Sequence, residues 1–385
     1  MSQTAIAGVG MTAVGEHWGR SLVDLAAEAA QQALAASNGA AVDAVFVANS
    51  YGSVFNNQSQ LGPLIAEAIG LIGTEAVTVE AGTAAGAAAV RAAHLAVMSG
   101  QVKTALVVGV EKVTDIVASA RVKALSVGLD ADVESIHGAT LPAMAALLMR
   151  RYMHEYGVDL SAFEGFSINA HANGKRNPLA MYRNTLKVGS FANAPMVAEP
   201  VSLFDSAPDG DGAAAVVITS YERAEDLHEA PVRIAASAAS TDALALQRRA
   251  NPLRLLAVEM SVRRALEQAG ISIHDVDVLE LHDAFTVLNA LTLEASGLAA
   301  VGEGWQWASD GGQRIALDGT LPINTFGGLK SRGNPAGAAG IYQIVEGCQQ
   351  LRKAAGQNQV ADAQWVMCQN LGGLGSTAVT HLLTL

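Results

Sequence analysis

Cysteine is almost absent: Cys348 and Cys368 are the only two in 385 residues. Two such residues build no disulfide framework and fit a reducing compartment, so a cytoplasmic protein is expected. Neither lies in a CxxC pair or a Cys/His cluster, and the sequence therefore predicts no metal site. Aromatic residues are scarce, at 5% against 50% hydrophobic. The core must then be made of Ala, Val, Gly and Leu, as in closely packed layers of helix and sheet. No apolar run approaches the ~18–20 residues of a membrane helix, so no span is expected. The start, MSQTAIAGVG, has no basic region leading into an apolar stretch, so no secretory signal is expected. Basic charge is also short. Lys and Arg number 24 against 36 Asp and Glu, a net charge of −12 without a basic stripe, which argues against a nucleic-acid partner.

What is present is alternation. TAIAGVG (4–10), AVDAVFVAN (41–49), AVTVEA (76–81) and KTALVVGVE (103–111) read as strands. Helical spacing fills 21–36, with Ser21 as cap, then 60–71 and a run from Thr83 to about Ser99. This order predicts an α/β fold with buried sheets. From about 115 to 208 the pattern loosens into short helices, turns and polar clusters such as INAHANGKRNP, which we read as an inserted region over the sheet. Strand character returns at 211–220. A second series begins near 231, with strands at 231–240, 276–283, 364–370 and 376–384 and helices at 253–269 and 338–352. The two series share a rough order, which predicts an internal duplication: an N-terminal half, 1–230, and a C-terminal half, 231–385.

Four stretches carry candidate chemistry. In VEAGTAAGAAAV (79–90) a strand feeds a Gly/Thr turn and then a helix apolar all round, so that its N-terminus opens inside the molecule. Thr83 at this junction is either a helix cap or a reactive group. HDAF (282–285) puts His282 at a strand end, where it is a general base or donor, or a surface histidine at a helix start. The glycine-rich INTFGGLKSRGNPAGAAG (323–340) either lets backbone approach a ligand or is a flexible linker. QNLGGLGST (369–377) reads as a tight hairpin between two strands.

The order and spacing of these stretches resemble one family. Together with SGQVKTALVVGVEKVTD (99–115), PVSLFDSAPDGDGAAAVVITS (200–220) and LHDAFTVLNALTLEASGL, they make the chain similar over its whole length to the thiolase superfamily, nearest to the sterol-carrier-protein type. The resemblance implies a five-layer αβαβα fold of two duplicated halves. It implies a loop domain, about 115–208, that helps bind coenzyme A, and a homodimer or dimer of dimers. Lys175, Arg176, Arg183 and Lys187 become candidates for the coenzyme A phosphates, with ordinary solvated charge as the alternative, and Gly373 joins the cofactor-binding set. The substrate implied is a coenzyme A thioester.

The chain departs from the family's reactive pattern. Thr83 stands where the resemblance places a nucleophilic cysteine, Asn334 where it places the histidine of GHP, Ala284 where it places the cysteine of HDCF, and Gln369 at the CxG cysteine, with Cys368 one residue away. Of the implied constellation, His282 remains. A threonine hydroxyl is a far weaker nucleophile than a thiolate, whereas Asn334 can still donate to a thioester oxygen and His282 can move a proton. The expected activity is therefore C–C bond chemistry on acyl-CoA without an acyl-enzyme, aldolase- or retro-aldolase-like. One alternative is a non-catalytic subunit paired with a cysteine-bearing paralogue or a small OB-fold, zinc-ribbon protein. A second is an acetyl-CoA acyltransferase using Thr83. Relatives of the aldolase kind use a tyrosine base, and Tyr342 lies too far along its helix to be given that role.

Overall fold

Strand β1 (Thr4–Met11) and strand β4 (Thr104–Glu111) are buried along nearly every residue, which requires cover on both faces. The structure, a computed structural model, describes residues 3–385 and shows how that cover arises. The first series runs β1, α1 (Leu22–Ala36), β2 (Ala44–Ala48), the one-turn α2 (Gly52–Phe55), α3 (Leu61–Ala68), β3 (Glu75–Val79), α4 (Ala85–Met98) and β4. Next come α5 (Ala118–Leu125), α6 (Leu141–Tyr156), α7 (Glu164–Arg176) and a small ribbon of β5 (Met196–Ala198) and β6 (Val201–Ser202). Strand β7 (Gly212–Ser220) closes this part, followed by α8 (Tyr221–Leu227). The second series is β8 (Val232–Thr241), α9 (Leu256–Ala269), β9 (Val278–Leu281), α10 (Thr286–Ala295), α11 (Ala339–Leu351), β10 (Val366–Gly372) and β11 (Thr377–Thr384).

The strand order is β3-β2-β4-β7-β1-β8-β11-β10-β9. Its centre, β1 against β8, is held by only two residue pairs, and on either side the same sequence of elements repeats. In the first half β1, β2, β4 and β7 hold the places that β8, β9, β10 and β11 hold in the second. Ile323, bridged to Leu279, takes the place of β3. Side-chain alternation sorts the layers. Val45, Val47, Leu106 and Val108 face α1 and α3. Phe46 and Val107 face inward, onto Ala85, Ala89 and Val90 of α4 and Ile341 and Val345 of α11. Val366 and Leu383 of the second half close the same central layer, while α9 and α10 cover its outer face. The result is αβαβα, the architecture the family resemblance implies.

Helices α4 and α11 cross at glycine. A Cβ on Gly340 would stand 2.5 Å from the Ala87 nitrogen and from Asn370 Oδ1, and one on Gly86 would stand 2.8 Å from the Gly337 carbonyl. The Ala87 and Gly337 contacts are to backbone, which cannot move aside cheaply. Gly340→Ala is therefore expected to destabilise by about 1–3 kcal/mol or more through overpacking, seen as a lower midpoint in thermal or urea unfolding.

Two expectations change here. The helix starts at Ala85 with Ala84 as its cap residue, so Thr83 is not the cap. The glycine-rich stretch is not a linker: 323–340 is buried throughout except at a half-exposed Asn334. It is fixed to the second half, where Asn324 Oδ1 accepts the Leu281 N–H and Asp283 accepts the Leu329 N–H, each at 2.7 Å, and to the first, where Glu111 accepts the Gly337 N–H at 3.1 Å.

Candidate active site between the two halves

The turn after β3 delivers Thr83 to the β10–β11 turn of the other half. Its hydroxyl donates to the Leu371 carbonyl at 2.6 Å and accepts the Gly373 N–H at 3.0 Å. Gly82, at φ 56°, makes the turn possible, and Ser50 Oγ fixes it by donating to the Gly82 carbonyl. Thr83 therefore ties the halves together. Its single O–H is already given to a carbonyl, so no base is positioned to take that proton.

Asn334 occupies the matching place before α11. Its N–H donates to the Pro208 carbonyl at 2.9 Å, and its own carbonyl accepts the Gly210 N–H at 3.1 Å. Its side-chain Oδ1 accepts the Ala336 N–H at 3.1 Å, which leaves the amide Nδ2 as the group free to donate.

Thr83 and Asn334 line one cavity of about 250 Å³, with Tyr51, Asp209, Ala284 and Phe285. A second chamber of about 280 Å³ is lined by Thr83, Gly373, Glu80 and Ser376 and shares Tyr51, Thr83 and Leu141 with the first. Thr83 thus stands at the waist of a two-chambered cleft.

His282 is buried behind this cleft. Its Nδ1 lies 3.0 Å from Asn370 Nδ2. The Asn370 side-chain amide holds the ring at Nδ1, and which ring nitrogen carries the proton follows from the orientation of that amide. Burial first, and then the Arg332 charge, push its pKa down to about 3, so the imidazole is neutral at pH 7.

Lys175, Arg176, Arg183 and Lys187 are exposed, and none lines either chamber. Arg121 on α5 stands beside the cavity residue Asp209, its Nε 3.7 Å from Asp209 Oδ2. Lys123 lines a third cavity that meets the chambers at Val122 and Val127. Cys348 and Cys368 are both buried outside the cleft. Burial pushes the Cys348 thiol up to about 11 and raises that of Cys368 as well, so neither is a ready thiolate. The Tyr342 hydroxyl donates to the Thr12 carbonyl at 3.0 Å, away from the cleft. Among the described residues no group of three or more His, Cys, Asp or Glu could hold a metal ion, and no helix is long and apolar enough to cross a membrane.

Sequence reasoning missed four contributors. Glu111, at the end of β4, accepts the N–H groups of Ser50, Tyr51 and Gly337 at 2.9, 3.1 and 3.1 Å. It pins the end of β2 to the approach to α11, and burial lifts its carboxyl to about 7. Lys330 donates to the Leu203 and Ser206 carbonyls at 2.9 and 2.6 Å, holding a wall of the cavity. Tyr51 and Asp209 line the cavity itself. Their only sequence signal is position, after a strand and in a Pro/Gly turn, which many non-functional residues share.

A two-fold α/β body whose half-related helices aim their starts at one cleft is the layout of an acyl-thioester enzyme scaffold. Residues 4–187 match the thiolase N-terminal domain and residues 236–385 the thiolase C-terminal domain-like family. The chain belongs to the thiolase superfamily. It is 37% identical, over all of both chains, to an acetyl-CoA acetyltransferase of Methanothermobacter thermautotrophicus. It is 29% identical to sterol carrier protein 2 of Homo sapiens, over 97% of this chain and 71% of that protein. Among solved structures, the Ltp2-ChsH2(DUF35) aldolase superimposes with a TM-score of 0.85 at 26% identity, over 99% of this chain and 97% of that one.

Proposed function

We propose that this protein acts on C–C bonds of acyl-CoA thioesters without an acyl-enzyme, as an aldolase or retro-aldolase. The observation that carries the reading is the Thr83 hydroxyl, engaged as donor to Leu371 and as acceptor from Gly373. A thiol-free cleft whose nucleophile position is tied down favours chemistry that needs donors and a base but no covalent step. Asn334 Nδ2 would hold the thioester oxygen, with His282 neutral and buried behind it. The likeness to an aldolase supports the same direction.

The test incubates purified protein with a panel of β-hydroxyacyl-CoA thioesters and measures release of aldehyde or ketone. Incubation with acetyl-CoA followed by mass spectrometry is the counter-test: a stable acyl group on Thr83 would overturn the reading in favour of an acetyl-CoA acyltransferase. Thr83→Ala is expected to keep cleavage within about tenfold while losing about 1–3 kcal/mol of stability, because it leaves the buried Leu371 carbonyl and the half-buried Gly373 N–H without their partner. Thr83→Ser should keep both.

A second reading is a subunit that needs a partner chain, and it is favoured by the ChsH2(DUF35) component named with the aldolase relative. Under it, co-expression with a small OB-fold, zinc-ribbon protein or a cysteine-bearing paralogue restores activity that the single chain lacks. We also propose a homodimer or dimer of dimers, checked by light scattering. Lys175, Arg176, Arg183 and Lys187 are proposed as contacts for those coenzyme A phosphates that stay outside the cleft; charge reversal there should raise KM and leave kcat unchanged.

A further inference from the structure

We propose that Asp209 is the general base of the cleft, taking the β-hydroxyl proton of a β-hydroxyacyl-CoA while the Asn334 amide holds the thioester oxygen. This rests on the aldolase reading above and names the residue that reading leaves open.

Three observations meet here. First, among the residues lining the chamber that holds both Thr83 and Asn334 the titratable side chains are Asp209 and Tyr51 alone; the rest are apolar, hydroxyl or amide. Second, backbone pairing sets Asp209 beside Asn334. The two form a parallel bridge, with Asn334 N–H on the Pro208 carbonyl and Gly210 N–H on the Asn334 carbonyl. Residues paired in this way stand about 5 Å apart with side chains on one face. A carboxylate and an amide donor are thereby presented together, as the β-oxygen and the thioester oxygen of one short acyl chain require. Third, the Asp209 side chain is 31% exposed, facing Arg121 at 3.7 Å, so that it is neither sealed in the core nor locked in a tight ion pair.

The charges around Asp209 agree with the role. Burial raises its carboxyl above the usual carboxylate range, which suits a base, and Arg121 on α5 offsets only part of that rise. From the end of β2, Tyr51 presents a phenol that burial and the fields of Glu111, Asp209 and Glu80 keep protonated. The Asp209 carboxyl thus shares the cavity lining with a neutral phenol and has one guanidinium beside it at 3.7 Å.

The step balances without an oxidant or a cofactor. Asp209 takes the β-hydroxyl proton, and the O–H electron pair becomes the new carbonyl bond. The Cα–Cβ bond breaks, and its electrons enter the thioester enolate, whose oxygen accepts from Asn334 Nδ2. The proton on Asp209 then passes to Cα, leaving a shortened acyl-CoA and a free ketone or aldehyde.

The experiment compares wild type, Asp209→Asn and Arg121→Gln on the same β-hydroxyacyl-CoA panel, across pH. Asp209→Asn should lower kcat by about 10²–10⁴ with KM little changed, and should abolish the acid limb of the kcat/KM profile. Arg121→Gln should move that limb to higher pH, because the carboxylate loses its stabilising cation. Cleavage by wild type that survives Asp209→Asn within about threefold overturns the assignment and leaves the aldolase reading standing. If Asp209→Asn fails to fold, an unmoved limb in Arg121→Gln overturns it instead. Absence of cleavage by wild type overturns the aldolase reading and this assignment together.

Discussion

Arg332→Ala is expected to lower the unfolding free energy by about 3–5 kcal/mol, the cost of leaving one member of a buried ion pair without the other. Arg332 and Glu346 are each 1% exposed, with Nε 3.3 Å from Oε1. The guanidinium also lies over the Tyr342 ring, 4.6 Å from its centre. Glu280 is buried in the same cluster, where burial and Glu346 raise its carboxyl. Removing Arg332 leaves the Glu346, Glu280 and Asp283 carboxyls buried together without that cation. The effect must depend on pH, and its sign follows from Glu346. Burial raises that group to about 7 although Arg332 opposes the shift, and without Arg332 it rises further. A carboxyl with a raised folded pKa weakens the fold when ionised, so its stabilising neutral form is complete below about 4.5 and is lost as pH rises through the folded value. The Arg332→Ala defect should therefore be largest above pH 7 and shrink toward pH 5. Urea unfolding at the two pH values measures it. Arg332→Met with Glu346→Met should recover much of the loss, since the pair is replaced by apolar volume.

Asn334→Ala is expected to reduce kcat on a cleaved β-hydroxyacyl-CoA by about 10²–10³, the loss associated with one donor to a developing oxyanion. Oδ1 is already bound to the Ala336 N–H, so the amide cannot turn and Nδ2 is pre-aimed. Asn334→Asp tests the same point with the shape retained. It keeps the acceptor for Ala336, removes the donor and adds negative charge where the enolate forms, so it should be at least as inactive as alanine while melting near wild type. A kcat for Asn334→Ala within a few-fold of wild type would remove Asn334 from the enolate site.

Much of the fold was legible along the chain. Continuous apolar strands such as TALVVGVE announce cover on both faces, and the all-Ala/Gly/Val start of α4 announces a helix with protein on every side. Site recognition was uneven. Thr83 and Asn334 stand at the starts of half-related helices, and these positions are visible in sequence because each is a turn before a small-residue helix. What Thr83 bonds to was not visible, since Leu371 and Gly373 lie nearly three hundred residues away. His282 read equally well as a surface residue, because a strand-end histidine looks alike whether solvent or a second half-sheet stands above it; it is 2% exposed. Asp209, Tyr51 and Glu111 escaped notice because nothing local marks them.

The sequence by itself determined the class of fold and the doubled order of elements, since these depend on residue types and on periodicities of two and 3.6. The tertiary structure alone decided that Thr83 joins the halves rather than capping a helix, that His282 is buried and neutral, and that Asp209 stands beside Asn334 in one cavity. The physical reason is common to all three: hydrogen-bond partners and burial are set by which surfaces meet when the two half-sheets close on α4 and α11, and those meetings join residues far apart in the chain.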